Sequence, residues 1–89
     1  MASVIWKEPV DFGEREYAFP IGAEIVSFGI QNTAYMVWFI CDPEVTGRVP
    51  RTLIAAGTGH PIPYATRRLS HHATVQHGGF VWHLLEVLP

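Results

Sequence analysis

Only one cysteine, Cys41, and one lysine, Lys7, occur in the chain. A lone cysteine excludes an intramolecular disulfide and fits a reducing compartment. It closes the run from Ala34 to Cys41 and reads as a buried, inert thiol rather than a nucleophile. That run is the longest apolar stretch, far too short to cross a bilayer as a helix. The N-terminal residues lack the basic start and long apolar segment of a secretory signal, so a cytoplasmic location and no membrane partner are expected. Charge is scarce: 16% of residues are charged, against about 25% in average proteins. The formal net charge of −2 argues against broad, non-specific binding to nucleic acid or anionic membranes.

Catalytic signatures are missing too. A nucleophile needs a base and a third, orienting group, and none can be placed around Ser27, Ser70 or Cys41. The five histidines do not have metal-ligand spacing. His71 and His72 are adjacent and would point to opposite faces of a strand. His72 and His83 would share a face without an acid or thiolate, and His71 opposite Glu86 reads as a cross-strand pair. The sequence therefore predicts no enzyme activity, no metal and no cofactor.

What is present is apolar surface in short, punctuated runs. At 89 residues the chain is sized for one domain spanning 1–89, and a domain this small buries only roughly 60–65% of the surface its unfolded chain exposes. Self-association is one way to add stability. Between Asp11-Phe-Gly13, Pro20-Ile-Gly22, Asn32-Thr33, Asp42-Pro43, Gly57-Thr-Gly59 and Gly78-Gly79 lie strand-length runs rich in Val, Ile, Phe, Tyr and Trp. They predict strands over Ser3–Lys7, Glu14–Phe19, Glu24–Gln31, Ala34–Cys41, Arg51–Ala56, Leu69–His77 and Phe80–Leu88. The fold class is all-β: a single-domain sandwich or partly open small barrel of about six to seven short antiparallel strands. The alternative is α+β, with one short helix after Pro63.

Two hairpins can be given a register. A two-residue loop at Asn32-Thr33 sets Ile30, Phe28 and Val26 against Tyr35, Val37 and Phe39. The other face then carries Ile25, Ser27 and Gly29 against Ile40, Trp38 and Met36, with the indole over small residues. Apolar on both sides, this hairpin is either central in two layers or a contact surface, so Ile25, Met36, Trp38 and Ile40 are candidate interface residues. A turn at Gly78-Gly79 sets His77 against Phe80.

The stretch Gly57-Thr-Gly-His-Pro-Ile-Pro63 lacks the Lys-Ser/Thr of a phosphate loop and the third glycine of a dinucleotide fingerprint. It reads as a shaped turn, or as a concave anion nest made by the amides from Gly57 to His60. Gly57, Thr58, Gly59, His60, Arg48, Arg51, Arg67, Arg68 and Tyr64 are the candidate ligand residues, with arginine forks for anions and a ring to stack on a base.

The segments Ala23-Glu-Ile-Val-Ser-Phe-Gly-Ile-Gln-Asn32, Val37-Trp38, Cys41-Asp-Pro43, Gly57-Thr-Gly-His-Pro-Ile-Pro63 and Gln76-His-Gly-Gly-Phe-Val-Trp-His83 resemble a family of short phage and prophage proteins described only as a domain of unknown function. The resemblance covers roughly residues 16 to 87. Members often end the first hairpin in Asn-Gly, where this chain has Asn32-Thr33. The resemblance implies a phage product in the cytoplasm of an infected bacterium, with the virion as the alternative, and it transfers no catalytic residue. The expected function is a non-catalytic protein-interaction module, self-associating into a homo-oligomer and binding a host or phage protein. The alternative is a binder of a nucleotide-like small molecule, such as a sponge for a bacterial defence signal.

Overall fold

A computed structural model describes residues 2–89. Short apolar runs cut by turn residues form β1 (Val4–Pro9), β2 (Gly13–Pro20), β3 (Glu24–Gln31), β4 (Ala34–Cys41), β5 (Arg48–Gly57), β6 (Leu69–His77) and β7 (Phe80–Val87). They make two antiparallel sheets, ordered β1-β4-β3 and β2-β5-β7-β6. The fold is an all-β sandwich, and its shortest dimension of 16 Å suits two sheets stacked about 10 Å apart. No α-helix follows Pro63. Pro61 and Pro63 hold the residues before them extended, and only a 3₁₀ turn forms, at Thr66–Arg68. β5 starts earlier than its composition suggests and runs through Pro50. That proline lies where β5 pairs with β2 alone, before β7 joins at Leu53, an edge position that tolerates a missing donor.

The core lies between the sheets, where Phe19, Val37, Leu53 and Leu84 are fully buried. Phe19 meets Phe39 edge-on at 5.1 Å between ring centroids. Cys41 is buried among these side chains. Each such residue contributes roughly 1.5–3 kcal/mol through removal from water.

Both hairpins turn where the sequence places them, but each loses its simple register at a bulge. In the first, Gln31 faces Ala34 and Phe28 faces Val37 as expected; a shift between Ile25 and Ser27 then sets Ile25, not Val26, opposite Phe39. One extra residue moves everything before it to the other face. Ile25 therefore packs on the core, away from the outer face it was expected to share with Met36, Trp38 and Ile40, and Val26 is 51% exposed. In the second hairpin a shift between His71 and Ala73 pairs His71 with Leu85. His71 is thus not the partner of Glu86; His72, pushed inward at the bulge, donates to Glu86 Oε1 at 2.7 Å. The two bulged strands are the edge strands β3 and β6, which pack against each other where the sheets meet.

Glu86 is the centre of a charged clip between the layers. Arg51 Nε and Nη2 fork onto its carboxylate at 2.6 and 2.7 Å, while Nη1 donates to the Ala23 carbonyl at 2.7 Å. The guanidinium lies 5.1 Å over the Phe19 ring. Burial pushes the Glu86 carboxyl up, the largest single effect. The hydrogen bonds from Arg51 and His72, together with the charges of the same two groups, outweigh it and leave the carboxyl below its ordinary range.

Two predictions follow from these contacts. A lowered folded pKa means that Glu86 stabilises the fold above the unfolded carboxylate value of about 4.3, and that this contribution is lost as pH falls through the folded value. Glu86→Ala is expected to cost about 3 kcal/mol at neutral pH, a deficit that shrinks in acid. Urea unfolding at both pH values measures it, and an equal deficit in both would remove the ion pair as its source. The turns supply the second test. Asn32 and Thr33 both have positive φ, 50° and 66°, the pattern of a type I′ hairpin turn, and a β-branched residue is strained there. Thr33→Gly is expected to stabilise by about 1 kcal/mol. At the other turn only Gly78 has positive φ, so Gly78→Val should be costly and Gly79→Val mild, as read from melting temperatures.

Candidate functional site

Where β5 runs out of its sheet the chain turns back on itself. The His60 amide donates to the Gly57 carbonyl at 3.0 Å, and the Gly57 amide donates to His60 Nδ1 at 3.2 Å. Gly59 supplies the left-handed residue at φ 87°. A side chain at Gly57 would put Cβ only 2.8 Å from the His60 ring, so glycine is what lets the imidazole fold over the strand end.

Across from Gly57 on β7 stands Trp82, around which an aromatic cluster gathers. Phe12, on the β1–β2 connection, stacks on the indole at 4.1 Å and 16°. Tyr35 and His60 meet the indole edge-on, and Phe80 lies tilted at 6.4 Å. Phe12 is 53% exposed and Phe80 68%. Two open clefts share the His60–Trp82 wall. One, of about 240 Å³, runs between Phe12, Glu14, Ala56 and Pro63; the other, of about 300 Å³, between Thr58, Gly79, Phe80 and Val81.

The loop is not an anion nest. Of the four amides from Gly57 to His60, Gly57 and His60 bond each other, and Thr58 donates to the Val81 carbonyl at 3.2 Å. Gly59 alone is left without a partner among the described residues. The arginines do not converge on it either. Arg51 is committed to Glu86 near the far end of β5, about 20 Å from Gly57 at a strand's rise of ~3.3 Å per residue. Arg48 donates to the Ala18 carbonyl and Arg68 to the Leu88 carbonyl, while Arg67 is exposed on the 3₁₀ turn. Tyr64 lies 5.8 Å under the Arg68 guanidinium and donates to Glu14 Oε2 at 2.6 Å. With Arg51 and Arg68 it lines a separate hollow beside Glu86 and Leu88. The expected ligand set thus divides into a glycine loop with aromatic neighbours and an arginine group elsewhere.

Sequence reasoning also missed a polar chain on the outer face of the four-stranded sheet. Thr58 Oγ1 is 2.7 Å from His83 Nε2, His83 Nδ1 is 3.0 Å from Thr74 Oγ1, and that hydroxyl is 2.9 Å from His71 Nε2. The β6 bulge brings His71 rather than His72 to His83. Alternation alone could not reveal this, because the bulge reverses it. Phe12 lies between strands and had no periodic signal to mark it, while Phe80 was legible only as the partner of His77.

A family model matches the chain over residues 1–89. The chain belongs to that family, the domain of unknown function DUF7352. No curated protein and no solved structure matches it. Membership in DUF7352 names no ligand or reaction, so the remaining surfaces are read from their geometry. The outer face of the three-stranded sheet carries Met36, Trp38 and Ile40, joined by Ile5, which pairs with Ile40. The indole lies over Gly29, with Cζ3 3.5 Å from where a Cβ would stand.

The Phe12–Trp82 stack generates a test of the aromatic end. In a background with Trp6 and Trp38 replaced by Phe, Phe12→Ala is expected to cost about 1 kcal/mol and to shift Trp82 emission to the red. Unchanged emission would mean that Phe12 does not shield the indole in solution.

Proposed function

We propose that the chain is a non-catalytic protein-interaction module that self-associates through the outer face of β1-β4-β3. One observation carries the reading: the inner face of this sheet is committed to the core, yet its outer face is also apolar. Ile5 stands 59% exposed and Val26 51%, beside half-buried Met36, Trp38 and Ile40. The occupant that suits this face is a second copy. By strand alternation its charged groups are Lys7 on β1 and Glu24 on β3, so like faces meet with balanced charge. Such a face is roughly 350 Å² in projection, short of the roughly 800 Å² per partner of a standard stable interface. The dimer is accordingly weak and concentration-dependent.

The non-catalytic part of the reading is supported by what surrounds Thr58. His83 contacts its hydroxyl, but the other ring nitrogen of His83 meets Thr74 rather than a carboxylate, and the Gly59 amide, without a partner among the described residues, does not alone make the paired donors of an oxyanion site. The resemblance to phage and prophage proteins supports action inside an infected bacterial cell, with a host or phage protein as the further partner. The alternative, a binder of a nucleotide-like small molecule, loses the anion nest, because three of the four loop amides are taken, and keeps Trp82 beside the loop and the hollow shared by Arg51, Tyr64 and Arg68.

Sedimentation or light scattering across a dilution series tests the proposal. The wild type is expected to pass from monomer to dimer as concentration rises. Ile5→Lys and Trp38→Ala are expected to weaken the dimer by about tenfold or more, while Trp6→Ala and Phe80→Ser leave it unchanged. Ile5 is exposed enough that its variant keeps the fold. A wild type that stays monomeric at the highest concentrations overturns the reading.

A further inference from the structure

The cleft beside Phe12 has a wall of a kind the glycine loop had not suggested. Glu14 faces outward from β2, on the side of Ile54 with which it pairs, and borders the cleft with Phe12, Trp82 and His60. Its Oε2 takes the Tyr64 hydroxyl. A carboxylate has capacity for about four hydrogen bonds, and Oε1 has no partner among the described residues.

The charges nearby lean one way. On the β1–β2 connection and β2, Asp11 and Arg15 neutralise each other at 2.5 Å. The loop contributes His60 and Tyr64, and β6 and β7 contribute His77, held by the Tyr35 hydroxyl, and His83, held by Thr58 and Thr74. Arg48 and Arg51 are engaged elsewhere, and Arg68, over the Tyr64 ring, spends its donors on the Leu88 carbonyl. Rings with exposed faces beside an unneutralised carboxylate attract a cation: the ring quadrupole and the acid act in the same direction.

We propose that this cleft binds an arginine side chain presented by a partner polypeptide. Arginine fits better than lysine because a planar, weakly hydrated guanidinium stacks on aromatic and proline surface while its fork reaches a carboxylate. A polypeptide fits better than a free small molecule because each cleft is open and at or below the ~300 Å³ where small-ligand sites begin. Two such clefts sharing the His60–Trp82 wall accept neighbouring side chains of one extended segment. The second, walled by Phe80 and Val81, takes an apolar one. The inference names the chemistry of the further partner in the interaction-module reading, and it does not use the self-association face.

The test is a titration of the full chain with a short capped peptide containing one arginine between valines, followed by NMR at the Trp82 indole N–H and the Gly13 and Gly57 amides. The arginine peptide is expected to shift these signals saturably, and the citrulline peptide to bind about tenfold more weakly. Glu14→Gln, which keeps an acceptor for Tyr64, is expected to weaken the arginine peptide by a similar factor and leave distant signals in place. Equal binding by the citrulline peptide, equal binding to Glu14→Gln, or no shift at millimolar peptide overturns the proposal. So does stronger binding of ADP or of free arginine amide at the same signals. None of these outcomes depends on the dilution series, so the two proposals fail separately.

Discussion

Arg51 is a cation placed between two sheets, and the arrangement works because its guanidinium is met by an acid, a carbonyl and a ring. Glu86 takes two of its edges, the Ala23 carbonyl a third, and the Phe19 ring its face. Arg51 stands on β5, and these partners come from β7, the turn before β3, and β2. His72 adds β6 through the same carboxylate. One ion pair therefore ties all four strands of the larger sheet to the point where the chain crosses into the smaller one. A charge pair withdrawn from water gains little net energy over apolar packing. Its effect is geometric, because a bidentate fork sets the β5–β7 register while the third bond fixes where β3 begins.

That clip also marks the limit of what the sequence could disclose. Strand positions were legible, since each run ends in Gly, Pro or Asn-Thr and its composition favours sheets. The turn at Asn32-Thr33 fixed five pairs of the first hairpin, from Gln31–Ala34 to Ser27–Trp38. Beyond Val26 and His72 the reading failed. Both bulges arise where edge strands of different sheets pack together, a tertiary demand with no local signature. Arg51 was expected to face a ligand and Glu86 to face His71. The β5–β7 pairing that joins them is not a hairpin, and no loop between them declares its register.

The glycine loop teaches a related lesson. Glycines near arginines in sequence suggest an anion site, but backbone donors bind an anion only if nothing else has claimed them. Here the His60 ring, the Gly57 carbonyl and the Val81 carbonyl claim all but one, and β5 carries Arg51 toward its opposite end. The face predicted from two-sided apolarity fared better: Met36, Trp38 and Ile40 do lie outward together, and only Ile25 was moved inward by the bulge.

The bulges have a consequence for how the protein behaves in a crowded cell. A seven-stranded sandwich has four strand edges, each a template for adding a stranger's strand and growing without end into fibrils. On β3 and β6 the bulges break the straight ladder that such growth requires. β1 carries Lys7, Glu8 and Pro9 along its length, and β2 presents Glu14, Arg15 and Glu16 in succession. With every edge blunted, the apolar surface left open to other molecules lies on a sheet face rather than along a strand edge. A chain that is 48% hydrophobic thereby offers no straight, unguarded edge on which open-ended polymer could grow.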